Sequence, residues 1–271
     1  DTILEMAGHK LSGNCKRLVV AGCLVQRSRA ELSAALPEVD AFIGLDELDR
    51  IVDAVRSEMD RDTWRSGGVP GPDRATYLYD STAPRRLSGP PWTAYVKISE
   101  GCDHPCAFCA IPSFRGAYRS RRLSDIRVEA ERLVSSGVRE INLIAQDSTS
   151  YGRDLGLVDG VERLLRGLDE IADLRWIRLF YLYPNRVTPS LLRAMAECDR
   201  VVKYADMPLQ SGSRAVLARM SRGGSRRRSG DHATVEIEAS IVARAPDHRF
   251  PRHELHGAAF VGAAGVEGPD R

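Results

Sequence analysis

The stretch Trp92-Thr93-Ala94-Tyr95-Val96-Lys97-Ile98-Ser99-Glu100-Gly101-Cys102-Asp103-His104-Pro105-Cys106-Ala107-Phe108-Cys109 decides the fold. Its first half alternates Ala94, Val96 and Ile98 with Tyr95, Lys97 and Ser99, the period-two pattern of a strand with one buried face. Its second half places three thiols in a C-x3-C-x2-C spacing on one short loop. Pro105 and Pro112 bar a regular helix through that loop, and Gly101 permits an unusual backbone turn at its entrance. Three thiols so close together can converge on a single small object.

A zinc ion is one such object, with His104 as a fourth ligand inside the loop. Structural zinc sites, however, usually pair two C-x2-C-like knuckles or add a distant histidine pair. A disulfide would leave one of the three cysteines over. A cubane iron–sulfur cluster, held one cysteine per iron, fits the spacing best.

Outward from this stretch the chain alternates strand and helix. Downstream, Ser124 is expected to cap a helix through 134 bearing Ile126, Ala130 and Leu133, ended by Gly137. A buried strand over 138–145, a helix over 160–171 and a strand over 175–183 follow. Pro189 falls in the first turn of a helix reaching 196, then come a strand over 201–207 and a helix over 213–220. Four successive βα units predict an α/β fold with a parallel barrel, or part of one, over 92–222.

Upstream, residues 1–60 read as a smaller α/β unit. It has strands over 17–22 and 39–43 and helices over 26–36 and 47–59, the last with Leu48, Ile51, Val52 and Val55 on one face. Residues 61–91 are dense in Gly and Pro and read as a linker or crossing segment.

Composition excludes little. The 271 residues are 43% hydrophobic and 28% charged, ordinary for a globular protein, and a net charge of +2 argues neither for nor against nucleic acid. No run of about 18 apolar residues occurs, so no spanning helix is expected. Asp1-Thr2-Ile3-Leu4-Glu5 is no secretory leader, and six unevenly spaced cysteines do not form a disulfide framework. A reducing, cytoplasmic compartment is expected. Past about 223 the periodic pattern fails. His248, His253 and His256 fit no single helix face, so no metal site is expected there.

Four further segments belong with the loop segment KISEGCDH at 97–104: LVVAGCLVQR at 18–27, LPEVDAFIG at 36–44, LIAQDSTSYG at 143–152 and KYADMPLQ at 203–210. Through them residues 1–222 resemble the methylthiotransferase branch of the radical S-adenosylmethionine enzymes, and within it the ribosomal-protein aspartate methylthiotransferases. Ala145-Gln146-Asp147 favours that ribosomal branch. Ser211, where the branch usually has His, keeps a transfer-RNA adenosine methylthiotransferase as the alternative.

The resemblance implies a 4Fe-4S cluster on Cys102, Cys106 and Cys109, with its fourth iron open to the amino and carboxylate groups of S-adenosylmethionine. One electron then splits that cofactor into methionine and a 5′-deoxyadenosyl radical. Phe108 would shape the adenine side, and Gln146 and Asp147 would face the cofactor at a strand's carboxyl end. Loop capping is the plain alternative for the latter two. The radical would abstract hydrogen from the β-carbon of an aspartate in a small-subunit ribosomal protein. A methylthio group would follow, its methyl drawn from a second S-adenosylmethionine. A flavodoxin-like protein would supply electrons, and no membrane would be involved.

In the family a second 4Fe-4S cluster sits on three further cysteines, of which only Cys23 has a counterpart here. That cluster is therefore not expected to be retained. Cys15 and Cys198 read as small buried or half-buried thiols. The chain is expected to be a piece lacking both ends of the family pattern, beginning inside the amino-terminal domain. Its tail, 223–271, reads as disordered or out of frame. As written it is not expected to transfer sulfur, and a non-catalytic zinc or iron–sulfur fragment stands as the remaining alternative.

Reconstituted anaerobically, the protein should hold about one cubane per chain, and Ala in place of Cys102, Cys106 or Cys109 should remove it, because two thiolates do not retain the cube. Visible absorbance and iron content are the readouts. Unchanged cluster content in Cys106→Ala would refute the assignment.

Overall fold

The structure, a computed structural model, describes residues 2–56, 64–65, 75–211 and 213–222. The expectations for the tail and much of those for 61–91 lie outside the described residues.

After an opening helix (Thr2–Ser12), β1 (Val19–Ala21) pairs in parallel with β2 (Ala41–Ile43), Val19 opposite Ala41. The helix Cys23–Ala35 crosses between them, kinked at Ser28. Val25, Val39 and Phe42, fully buried, and Leu18 make its core. The expected helix over 47–59 is different: a 3-10 segment, Leu45–Arg50, precedes a short α-helix, Ile51–Arg56. Glu47 causes this by accepting from the Gly44 N–H at 2.7 Å while pairing with Arg29, and Gln26 Oε1 accepts from the Leu45 N–H at 2.8 Å. A 3-10 turn takes 3.0 residues rather than 3.6, so the apolar face rotates. Ala54 becomes the buried residue, and Ile51, Val52 and Val55 remain exposed.

The alternating stretch forms β3 (Thr93–Lys97), with Ala94, Val96 and Ile98 buried and Tyr95 exposed. A two-residue strand, β4 (Ser99–Glu100), continues it and pairs antiparallel with β5 (Arg119–Ser120). β3 also pairs in parallel with β6 (Glu140–Ile144), and β6 with β7 (Trp176–Leu179), giving the order β3-β6-β7. Ile141, Asn142 and Leu143 of the central strand are buried in succession, as a strand covered on both faces requires. The helices Leu123–Ser135 and Gly160–Asp169 supply Ile126, Ala130, Leu164, Leu165 and Leu168 to this core. Each such fully buried Leu or Ile stabilises by about 1.5–3 kcal/mol.

Two further local expectations are corrected. The helix begins at Leu123, so Ser124 lies in its first turn and Arg122 occupies the cap position without a side-chain bond. The strand over 201–207 reduces to one parallel bridge, Ile177 to Val201. Beyond it a tight turn, Tyr204 N–H to Val202 C=O at 2.7 Å, breaks the ladder, and the chain returns to β7's end through Leu182 N–H to Asp206 C=O at 2.8 Å. The described strands therefore make an open three-stranded parallel sheet with one bridged neighbour. Among the described residues, no helix is long and apolar enough to cross a membrane.

One polar element is built into this core. The Arg121 side chain, 1% exposed, is paired with Glu129, 2% exposed, at 2.6 Å and with Asp125 at 2.6 Å. It also donates to the Lys97 carbonyl at 2.9 Å and lies 4.5 Å from the Tyr79 ring centroid. Arg121→Met should cost about 1–3 kcal/mol in urea unfolding, because buried Glu129 loses one of its two cations and keeps only its 2.6 Å pair with Arg85 among the described residues. Adding Glu129→Leu should restore much of it. A single variant as stable as the parent would contradict this account.

Candidate functional site

The cysteine loop is pinched shut at its root. Past β3 the Ile98 N–H donates to Ile144 C=O at 2.9 Å, and the β4–β5 pairing then joins the two ends of the loop. Gly101, at φ 77°, sits where a Cβ would lie 2.1 Å from the Ala117 carbonyl oxygen, so only glycine fits. Cys102 N–H donates to Gly116 C=O at 3.3 Å. Residues 101–110 contain no helix, as Pro105 requires. Pro112 does not exclude one: it occupies the first turn of Ile111–Arg115, where its missing N–H costs nothing.

Cys102 is buried, and Cys106 and Cys109 are half-buried across a turn closed by Cys109 N–H to Cys106 C=O at 3.0 Å. Burial pushes the Cys102 thiol up to about 11, and Asp147, Cys109 and Cys106 nearby add to the effect. Among the described residues, no three His, Cys, Asp or Glu side chains gather closely enough for one metal ion. A tetrahedral zinc with bonds of about 2.3 Å to sulfur needs such a gathering. A cube that takes each cysteine at a separate iron does not. His104 is also unsuited to the fourth-ligand role, since its Nε2 is bonded to Asp147 at 2.7 Å and its ring stacks on Tyr183 at 3.8 Å. The donor set, three thiols with a guanidinium facing one of them (Arg222 Nη1 3.7 Å from Cys106 Sγ), fits an anionic iron–sulfur cube.

Gln146 and Asp147 follow β6 and so leave the sheet at the same end as the cysteine loop. Asp147 caps the turn Ser148–Ser150: it accepts from Thr149 N–H at 2.9 Å and from the Thr149 and Ser150 hydroxyls. Burial acts to raise its carboxyl pKa, but the bonds from His104, Ser150 and Thr149 outweigh it and hold the group below the usual range. Gln146 differs. Its Oε1 is buried and has no hydrogen-bond partner among the described residues, so it is free to accept one. Phe108 stands 53% exposed on the loop, open to a flat ring rather than packed in the core. A cavity of about 330 Å³ lies between loop and turn, lined by Asp103, His104, Tyr118, Asp147, Arg153 and Arg186. That is the lower end of small-molecule sites.

Residues 96–230 match the Radical SAM superfamily. Over 229 residues, 83% of this chain, the sequence is 51% identical to the ribosomal protein uS12 methylthiotransferase RimO of Solibacter usitatus (strain Ellin6076), of which it covers 47%. It is 43% identical over 91% of its length to the RimO of Geobacter sulfurreducens (strain ATCC 51573 / DSM 12127 / PCA), covering 53% of that protein. Residues 96–230 are thus a radical SAM domain, and the curated proteins this chain resembles are methylthiotransferases. It spans about half the length of the curated relatives it matches. Among solved structures, the radical S-adenosylmethionine methyltransferase TsrM from Kitasatospora setae superposes with a TM-score of 0.54 at 12% identity. The match covers 82% of this chain and 47% of that one. A likeness at that identity speaks for the fold alone.

Within this radical SAM frame the structure adds contacts that sequence reasoning missed. Cys23 Sγ accepts from Arg115 Nη2 at 2.9 Å, while Arg115 Nη1 reaches both Glu100 oxygens at 2.9 and 2.7 Å. Glu100 immediately precedes Gly101 and pairs with Lys97 as well. Cys23 thus touches the root of the cysteine loop from a residue 92 positions away. Tyr183 and Arg222 close the other side. Tyr183 follows β7, and a Tyr-Leu-Tyr-Pro run at a strand's carboxyl end was the available signal for it. Arg222 carried none. Cys15 is half-buried and Cys198 buried, in agreement with their reading as small thiols.

The depressed Asp147 carboxyl has a consequence for acid stability. Its ionised form contributes stability that is complete above the unfolded value of about 3.9 and is lost as pH falls through the lower folded value. Asp147→Asn should therefore cost about 1–3 kcal/mol at pH 7 and show a shallower loss below about pH 4. Urea midpoints across pH 2–7, about the range that brackets the carboxylates, test this. Parallel curves for variant and parent would refute it.

Proposed function

We propose that this chain carries the radical S-adenosylmethionine site of a methylthiotransferase that modifies an aspartate β-carbon in a small-subunit ribosomal protein. The observation that carries the reading is the three-cysteine loop at the end of β3, beside a buried acceptor at the end of β6, in a chain 51% identical to a uS12 methylthiotransferase. In this reading Cys102, Cys106 and Cys109 hold the cluster, and Gln146 accepts from the cofactor. Phe108 covers the adenine, and Asp147 positions His104.

When bound, the 4Fe-4S cluster and S-adenosylmethionine together supply a one-electron cleavage that yields a hydrogen-abstracting radical. The protein's part is placement and exclusion of water. Gly101 and the β4–β5 pairing fix where the three thiols point. Burial raises the pKa of the Cys102 thiol, and a cluster bound there would hold it as the thiolate. The Asp147–His104 bond and the His104–Tyr183 stack fix one wall of the loop. Cys23, tethered by Arg115, is the one position here matching the family's sulfur-donating cluster. Electrons would come from a flavodoxin-like donor, and the setting would be the cytoplasm.

Hydrogen abstraction can be tested apart from sulfur delivery. Small ribosomal subunits labelled with β-deuterated aspartate, incubated with reconstituted protein, reductant and S-adenosylmethionine, should yield 5′-deoxyadenosine carrying deuterium. Cys106→Ala should abolish the product. Unlabelled 5′-deoxyadenosine from the subunits, with formation stimulated instead by unmodified transfer RNA, would move the substrate to adenosine.

A further inference from the structure

Arg222 is the last described residue and belongs to no element, yet it is among the most constrained side chains near the loop. Its Nη1 donates to Cys106 Sγ at 3.7 Å and its Nη2 to the Pro208 carbonyl at 2.9 Å. The guanidinium carbon lies 4.8 Å from the Tyr183 ring centroid, and Tyr183 in turn stacks on His104. The Arg222 carbonyl accepts from the Tyr183 hydroxyl and from Asn185 Nδ2, each at 3.1 Å. Two residues earlier, the Met220 carbonyl accepts from Ala107 N–H at 2.9 Å, between Cys106 and Cys109. Residues 220–222 therefore seat on the cysteine loop by backbone and side chain together. Among the described residues its partners include no carboxylate; the guanidinium charge meets the Tyr183 ring, the Pro208 carbonyl and the Cys106 thiol. The charge is presented, uncompensated by these partners, to a thiol.

We propose that Arg222 is a positioning residue for the radical cluster, whose fixed positive charge and N–H···S contact at Cys106 stabilise the reduced cube over the oxidised one and so raise its reduction potential. The inference rests on the reading that Cys102, Cys106 and Cys109 hold a cube. Reduction by one electron from a chemical donor adds one negative charge to the cluster and changes no bond of the protein. A cation held nearby favours the more negative state, and hydrogen bonds to cluster sulfurs act in the same direction. Pre-organisation matters here. Pro208, Tyr183 and Asn185 already hold the arginine, so little ordering cost falls on the moment of electron transfer.

The test is a dithionite-poised redox titration of the reconstituted protein, followed by electron paramagnetic resonance, for the parent, Arg222→Met, Arg222→Lys and Arg127→Met. Arg127 pairs with Glu131 and Glu170 and donates to the Gly167 carbonyl at 3.1 Å, and its replacement reports the loss of a remote charge. The potential should fall in Arg222→Met, fall less in Arg222→Lys, and stay at the parent value in Arg127→Met. If Arg222→Met holds no cube while Arg222→Lys does, the same charge dependence appears in occupancy and supports the proposal. An unmoved potential in a loaded Arg222→Met overturns it. So does an equal fall in both Arg222 variants, or loss of the cube in both with native circular dichroism. A parent that shows no visible cluster absorbance refutes the cluster reading itself, a separate result.

Discussion

The register between β3 and β6 sets everything at the site. Val96 lies opposite Leu143 and Lys97 opposite Ile144, in parallel, so the chain leaves both strands at one edge of the sheet. The cysteine loop departs from one strand and the Gln146–Asp147 turn from the other, and they meet as the His104–Asp147 bond. A slip of one residue would turn Ala94 and Val96 to the exposed face and Tyr95 inward. Because that costs several buried apolar side chains, the core chemistry also fixes the site geometry.

On this frame the loop is held by charge and by close backbone approach rather than by apolar packing. Glu100 gathers Lys97 and Arg115 at the loop root, and Arg115 carries the connection on to Cys23. Arg121 threads between Glu129, Asp125 and Tyr79 just beneath. Such buried pairs give little net stability against an apolar alternative. What they give here is direction, since each guanidinium fork accepts its partners in only one geometry. A loop that must hold a cluster without regular secondary structure depends on that kind of constraint.

The amino-terminal unit connects to the same loop. In the family a cysteine at the position of Cys23 belongs to the sulfur-donating machinery, and here the thiol is tethered to the segment that opens the radical loop. One arginine thus joins the amino-terminal unit to the root of the cysteine loop. Arg222 approaches from the opposite side of the chain, 116 positions from Cys106.

The sequence by itself announced the alternating α/β architecture and the three-cysteine loop. The alternation at 94–98 announced β3, the strand–helix alternation placed a helix over 160–171, and the spacing of Cys102, Cys106 and Cys109 set three thiols on one short loop. These are local signals, since period and spacing are properties of neighbouring residues. Local reasoning failed where distant groups intervened. Glu47 and Gln26 tightened a helix into a 3-10 turn and rotated its apolar face, and a backbone turn at Tyr204 ended a strand that propensity would have continued. The partners of the thiols were equally hidden. Nothing in a run of residues says that Arg115 will reach Cys23, or that Arg222 will lie against Cys106 and Tyr183. An arginine's charge acts over whatever the fold brings within a few ångströms, and only the folded chain decides what that is.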